Sequence, residues 1–181
     1  MSDKKTLPFS NLYKDKQLCI ILIFAIIARI TFMLIYPDQH FPDAKAYREI
    51  GAEIFSGDLI TNHVYMPLYP VWSYITGGGL IQILMDIVIS VISVWLIFIL
   101  SMHLFKDRLP ALLSATIAAF YPHFLFYSVS GLTEIFYTFL LLLSFLLFYR
   151  KAFILAIVIL VLSILVRPTL DFFNPILVAL F

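Results

Sequence analysis

Long apolar runs dominate the chain, and the polar positions collect between them. The first run covers residues 18–36, about 28 Å as a helix, close to the thickness of a hydrocarbon core of about 30 Å, and Pro37 ends it. Residues 37–79 form the one long polar passage. Within it the pattern predicts a helix from Asp43 to Phe55, with Tyr47, Ile50, Ile54 and Phe55 on one face and Lys45, Arg48, Glu49 and Glu53 toward the other. That division suits a helix lying in a membrane interface, and Ser56-Gly57-Asp58 stops it. A short aromatic piece over 67–76 follows, then Gly77-Gly78-Gly79. Further apolar runs are expected at 80–105, from Pro110 to Pro122, at 132–149 and at 152–166, with a helix break over 128–133. Only Arg150-Lys151 separates the last two, which predicts a tight antiparallel hairpin.

Composition makes this an all-α polytopic membrane protein by expectation. The chain is 62% hydrophobic and 13% charged, with mean hydropathy +1.01, values far from those of a soluble domain. A net charge of +1 without a basic cluster gives no reason to expect nucleic acid as a partner. The single cysteine, Cys19, excludes an intrachain disulfide. The first run is too long for a signal-peptide core and no cleavage pattern follows it, so it reads as a retained helix. Orientation follows from Lys and Arg. One side collects Lys4, Lys5, Lys14, Lys16, Lys106, Arg108, Arg150 and Lys151; the other collects Lys45, Arg48 and Arg167. The expected order is a cytoplasmic tail (1–17), a first span (18–36), an outer loop with interfacial helices (37–79), four further spans (80–168) and the start of a sixth (169–181). In a bacterium this would be the inner (plasma) membrane, with the N-terminus cytoplasmic.

The outer loop concentrates Asp38, Asp43, Glu49, Glu53 and Asp58, five of the eleven acidic residues. Together with its flanks, ARITFMLIYPDQHFPDAKAYREIGAEIFSGD followed by MPLYP resembles the start of the GT-C glycosyltransferases, in the branch of bacterial aminoarabinose transferases and protein O-mannosyltransferases. The matching positions are Arg29 in the first span, Asp43 opening the loop, Tyr47 four residues on, Gly51-Ala52 and Pro67 to Pro70. Later, SGLTEIFYTFLLLLSFLLF matches at Glu134 and LVRP at Arg167-Pro168. The resemblance covers residues 21–168 and implies a GT-C-like helix bundle. It also implies transfer of a sugar from a polyprenyl-phosphate carrier to a lipid, glycan or protein acceptor at the outer face, with the loop aspartate as general base and sometimes a divalent metal ion nearby. Many members carry Asp-Glu where this chain has Asp43-Ala44, and members run to several hundred residues against 181 here.

The candidate site residues follow. An attacking hydroxyl must lose a proton, and Asp43 is the first candidate to take it; Asp38 is the alternative base. The competing reading of Asp43 is a helix cap, and Glu134 at the start of the fourth run divides between a cap and a substrate-binding role. Arg167 divides between an interfacial anchor and a partner for the carrier phosphate, and Tyr47 is assigned to substrate binding by the resemblance. His40, His63 and His123 lie on the same side as Asp43, with His40 and Asp43 the candidate metal ligands, although the spacing matches no zinc pattern. Tyr65, Tyr69, Trp72 and Tyr74 read as an interfacial aromatic belt rather than a sugar-stacking platform. Arg29 and Asp86 fall at similar depth in neighbouring runs, which predicts a buried pair between them. Residues 176–181 are far short of the roughly 20 needed to cross, and the expectation is an N-terminal portion of a larger transferase, inactive alone. The other class left open is a non-catalytic polytopic protein: a glycolipid transport or assembly subunit, or a degenerate transferase remnant.

Overall fold

The structure is a computed structural model and describes residues 15–36, 41–57 and 65–168. Asp38, His40, His63, residues 1–14 and the start of the expected sixth span lie outside the described residues. Every regular element among the described residues is helical.

The first helix, α1 (Lys16–Ile35), begins at Asp15, whose carboxylate accepts from the backbone N–H groups of Gln17 and Leu18. That cap satisfies donors a helix N-terminus otherwise leaves open. After the loop come α2 (Pro42–Ser56) and α3 (Leu68–Ile75), packed on each other. Their approach is close at Gly51. A Cβ there would overlap the carbonyl oxygen of Pro70 and sit 2.7 Å from Tyr74 Cβ, so only glycine lets the two backbones meet. Next comes α4 (Gly79–Phe105), reached through Gly77, Gly78 and Gly79, all at positive φ. Three left-handed residues in succession reverse the chain from α3 into α4, a path side-chain-bearing residues adopt only at a cost.

Beyond Lys106, α5 (Arg108–Phe120) is followed by α6 (Pro122–Tyr127), α7 (Thr133–Tyr149) and α8 (Phe153–Ile164). The break between α5 and α6 falls at Tyr121, whose ψ of 122° is the extended conformation that a following proline favours. α7 and α8 form the expected hairpin, turning on Lys151 at φ 61°.

Helices α1, α4 and α5 enclose one apolar cluster, with α7 against α4 and α8 outside α7. Ala111, Ala115, Ala118 and Ala119 give α5 a small-residue face on which its neighbours pack closely. A second cluster seats Tyr47 of α2 and Tyr69 of α3 against Leu140 of α7 and Val166 beyond α8. The outward surfaces are apolar, as at Ile23, Phe24 and Ile27 on α1, Leu113 and Ile117 on α5 and Ile154 and Val158 on α8. Two helices, α1 and α4, are long and apolar enough to cross a membrane; α5, α7 and α8 are apolar but shorter.

Two expectations change. Arg29 and Asp86 do not pair. Arg29 is fully buried, its Nε donating to Ser90 Oγ at 2.8 Å and its Nη1 to the carbonyls of Ala25 (2.9 Å) and Ala119 (3.1 Å). Ser90 is four residues further along α4 than Asp86, about 6 Å deeper, and that is the level Arg29 reaches. Asp86 is claimed from the other side: Tyr69 Oη donates to its Oδ2 and Trp72 Nε1 to its Oδ1, each at 3.0 Å. Tyr69 therefore leaves the expected aromatic belt; it is fully buried and also accepts from Gln82 Nε2 at 3.0 Å.

Candidate active site

The helix ends bring the site together. Asp15 of α1 and Arg108 of α5 meet at one end of the bundle, so α1 and α5 run parallel. At the opposite end the N-terminus of α7 meets the residues just past α8, and the Leu68 N–H at the start of α3 donates to the Leu165 carbonyl at 3.0 Å. Asp43, Tyr47, Glu134 and Arg167 all line one cavity there, of about 190 Å³, together with Tyr65 and Thr133. Residues from four stretches of the chain thus converge on one pocket. The alternative base Asp38 and the histidine partner His40 fall outside the described residues.

Asp43 stands in the first turn of α2, after Pro42, while Phe41 occupies the cap position and no side chain caps that end. Its carboxylate is therefore not spent on capping. Oδ1 accepts from Tyr65 Oη at 2.8 Å, and no described group bonds Oδ2. The neighbouring carboxylate raises the Tyr65 phenol above its ordinary value of 10.0, first through that hydrogen bond. Tyr47 is raised too, chiefly by burial and then by the Asp43 charge. Both phenols are therefore hydroxyl donors at neutral pH. Their rings meet edge to face at 5.1 Å, and Tyr47 meets Tyr69 in the same way. This aromatic wall holds Asp43 by one oxygen and leaves the other open.

Glu134 likewise sits in the first turn of α7 without capping it. Its Oε1 lies 2.6 Å from Arg167 Nη1, a charge-assisted contact between side chains 25% and 39% exposed. Its Oε2 is buried and has no partner among the described residues. A buried carboxylate oxygen without a donor is costly, and it marks a place where a ligand hydroxyl would be welcome.

His123 is exposed and stacks on Tyr127, one turn along α6. Among the described residues no group of three His, Cys, Asp or Glu could hold a metal ion. Tyr65 was not separable in the sequence from the aromatics around it. It lies 22 residues from Asp43, and no periodicity connects the two across the intervening loop. No protein-family model matches this chain, and neither a curated protein nor a solved structure matches it.

Proposed function

We propose that this chain carries the acid–base end of a polytopic membrane glycosyltransferase of the GT-C type, which moves a sugar from a polyprenyl-phosphate carrier to an acceptor hydroxyl at the outer membrane face. The observation supporting this reading is the convergence of Asp43, Tyr47, Glu134 and Arg167 on one cavity at the end of an apolar helix bundle. The orientation is supported by charge. Lys16, Lys106, Arg108, Arg150 and Lys151 gather at the end opposite the cavity, as the positive-inside rule asks of a cytoplasmic face.

In this reading the acceptor oxygen attacks the anomeric carbon and its proton passes to Asp43 Oδ2, the oxygen Tyr65 leaves open. The bond from the anomeric carbon to the carrier phosphate breaks, and its electron pair leaves with the phosphate. Arg167 balances the charge that develops there. Glu134 holds Arg167 through one oxygen and offers the other to a sugar hydroxyl. Tyr65 is a positioning residue: it fixes the carboxylate and does not exchange the proton.

Membranes containing the protein, supplied with radiolabelled polyprenyl-phosphate sugars, test the proposal by transfer of label to acceptor. Asp43→Asn keeps the shape and the bond from Tyr65 but cannot accept a proton. It is expected to lower the rate at least about a hundredfold, the usual scale of general-base catalysis. Unchanged transfer in that variant would remove Asp43 from the mechanism. Absence of transfer by the parent protein with every carrier tried would agree with the expected portion of a larger transferase, inactive alone, or with a non-catalytic role in glycolipid transport or assembly.

A further inference from the structure

Helix α2 has a second lined flank. While Asp43 and Tyr47 turn to the site above, Lys45 and Arg48 line a separate cavity of about 420 Å³ whose far wall includes Gly79, Gln82 and Ile83 of α4 and Val129 of the turn before α7. Its two ionisable lining residues are both cations. Lys45 makes only an exposed contact with Glu49, at 3.6 Å. Arg48 pairs with no carboxylate among the described residues.

These cations face the start of the longest helix in the molecule. Gly78 occupies the cap position of α4 and supplies no side-chain acceptor, and the backbone N–H groups of Gly79, Leu80 and Ile81 have no acceptor among the described residues. Such an end carries partial positive charge. Arg48 nevertheless lies directly on it. A Cβ on Gly78 would be 2.8 Å from Arg48 Cδ and 3.4 Å from its Nη1, so the glycine makes room for the cation. Like-signed groups brought together repel, and an anion between them converts the repulsion to attraction.

A third donor is built into the wall. Gln82 is only 4% exposed; its Oε1 accepts from Ser73 and its Nε2 donates one hydrogen to Tyr69. The second hydrogen on that nitrogen has no acceptor among the described residues, and the nitrogen stands 3.8 Å from where a Cβ on Gly131, another lining residue, would be. Ile83 and Val129 make the remaining wall apolar, and in the same turns of α4 Leu80, Ile81 and Leu84 are exposed. That surface suits hydrocarbon and not a freely soluble ion.

We propose that this cavity binds the phosphate headgroup of an amphiphile, held by Arg48, Lys45, the Gln82 amide and the first turn of α4, with its chain lying along the apolar face of α4. The site is distinct from Arg167, to which the transfer reading gives the carrier phosphate, and it stands whether or not that reading holds.

The full chain, purified in maltoside detergent, would be titrated with phosphatidic acid and, separately, with the diacylglycerol of the same chains, and the retained lipid counted by native mass spectrometry. One equivalent of phosphatidic acid is expected, and no retained diacylglycerol. Arg48→Gln is expected to weaken retention about tenfold or more, as for loss of one charge-assisted hydrogen bond; Arg48→Lys is expected to restore part of it, and Lys106→Gln, at the opposite end of the bundle, to change nothing. Thermal unfolding of the same samples shows that the variants are folded. Inorganic phosphate added at millimolar concentration separates the sources: persistence of the lipid assigns the site to the amphiphile, and full displacement assigns it to free phosphate. Equal retention of the two lipids, or retention by folded Arg48→Gln equal to that of the parent, would overturn the proposal.

Discussion

The two ends of the bundle each carry an arginine–carboxylate pair, and the pairs are built differently. At one end Arg108 grips Asp15 through both Nε and Nη2, each at 2.8 Å, while the same carboxylate caps α1. Every oxygen there is used. At the other end Arg167 holds Glu134 through one oxygen; among the described residues the second is buried without a donor, and Asp43 nearby keeps an oxygen open. A saturated pair has nothing left to offer and serves to join α1 to α5. An unsaturated one lining a cavity has an acceptor free for water or for a ligand hydroxyl. The difference sets a saturated end of the bundle against one with open acceptors, the end to which the proposed function assigns the chemistry.

The sharpest way to break the comparison is to detach the cavity end alone. Gly51→Ala inserts a methyl group against the Pro70 carbonyl and Tyr74 Cβ, and neither backbone has room to move without parting α2 from α3. A cost of about 3 kcal/mol is expected for overpacking against backbone, read as a lower midpoint of thermal unfolding in detergent. Gly57→Ala is the control. Gly57 sits at φ 85° with nothing within 4 Å, so it carries only conformational strain, about 1–2 kcal/mol. Equal effects would mean that α2 and α3 are not held by the close approach at Gly51.

These distinctions were unevenly legible in the sequence. The helices were readable because apolar runs, prolines and glycines punctuate them: α1 ends within a residue of Pro37's expected stop, and α4 begins at the glycine triplet. The grouping of Asp43, Glu134 and Arg167 was readable because alternating runs put their ends on a common side. Partner choice was not. Each step along a helix turns the side chain by about 100°, so the depth of Arg29 and Asp86 could be estimated while the direction each faces could not. Arg29 faces Ser90 and Asp86 faces Tyr69 and Trp72 for that reason. The cationic flank of α2 was hidden differently: Arg48 looks like an ordinary solvated residue until Gly78, at the start of α4, is set against it.

A second, smaller test acts on the unsaturated pair itself. Arg167→Ala leaves Glu134 with neither oxygen paired by a charge. With both side chains partly exposed, the expected loss of stability is about 1–2 kcal/mol, below the range for a fully buried pair. Glu134→Gln in the same background should recover part of it, because the uncompensated charge is gone, and the two changes should therefore be less than additive. Strict additivity would mean the contact is incidental, and the contrast between the two ends would lose its basis.

The smallest effect belongs to the saturated pair, and pH isolates it. Asp15→Asn keeps an oxygen to cap α1 but removes the charge that Arg108 grips. With the Arg108 side chain 44% exposed to screening solvent, the loss is expected to be about 1 kcal/mol. In the folded protein the hydrogen bond from Arg108, with further help from the Leu18 and Gln17 N–H groups, holds the Asp15 carboxyl below its ordinary value of 3.8, against a smaller opposing effect of burial. The folded state therefore binds this proton more weakly than the unfolded chain does. Its contribution is complete above pH 3.8 and fades as the pH falls below that value, through the lower folded-state value. The gap in unfolding midpoint between the parent and Asp15→Asn should accordingly be constant from pH 8 to about 5 and close below about 4. A gap that persists unchanged into strong acid would mean that the loss does not come from the carboxylate charge, and that Arg108 does not join α5 to α1 by charge.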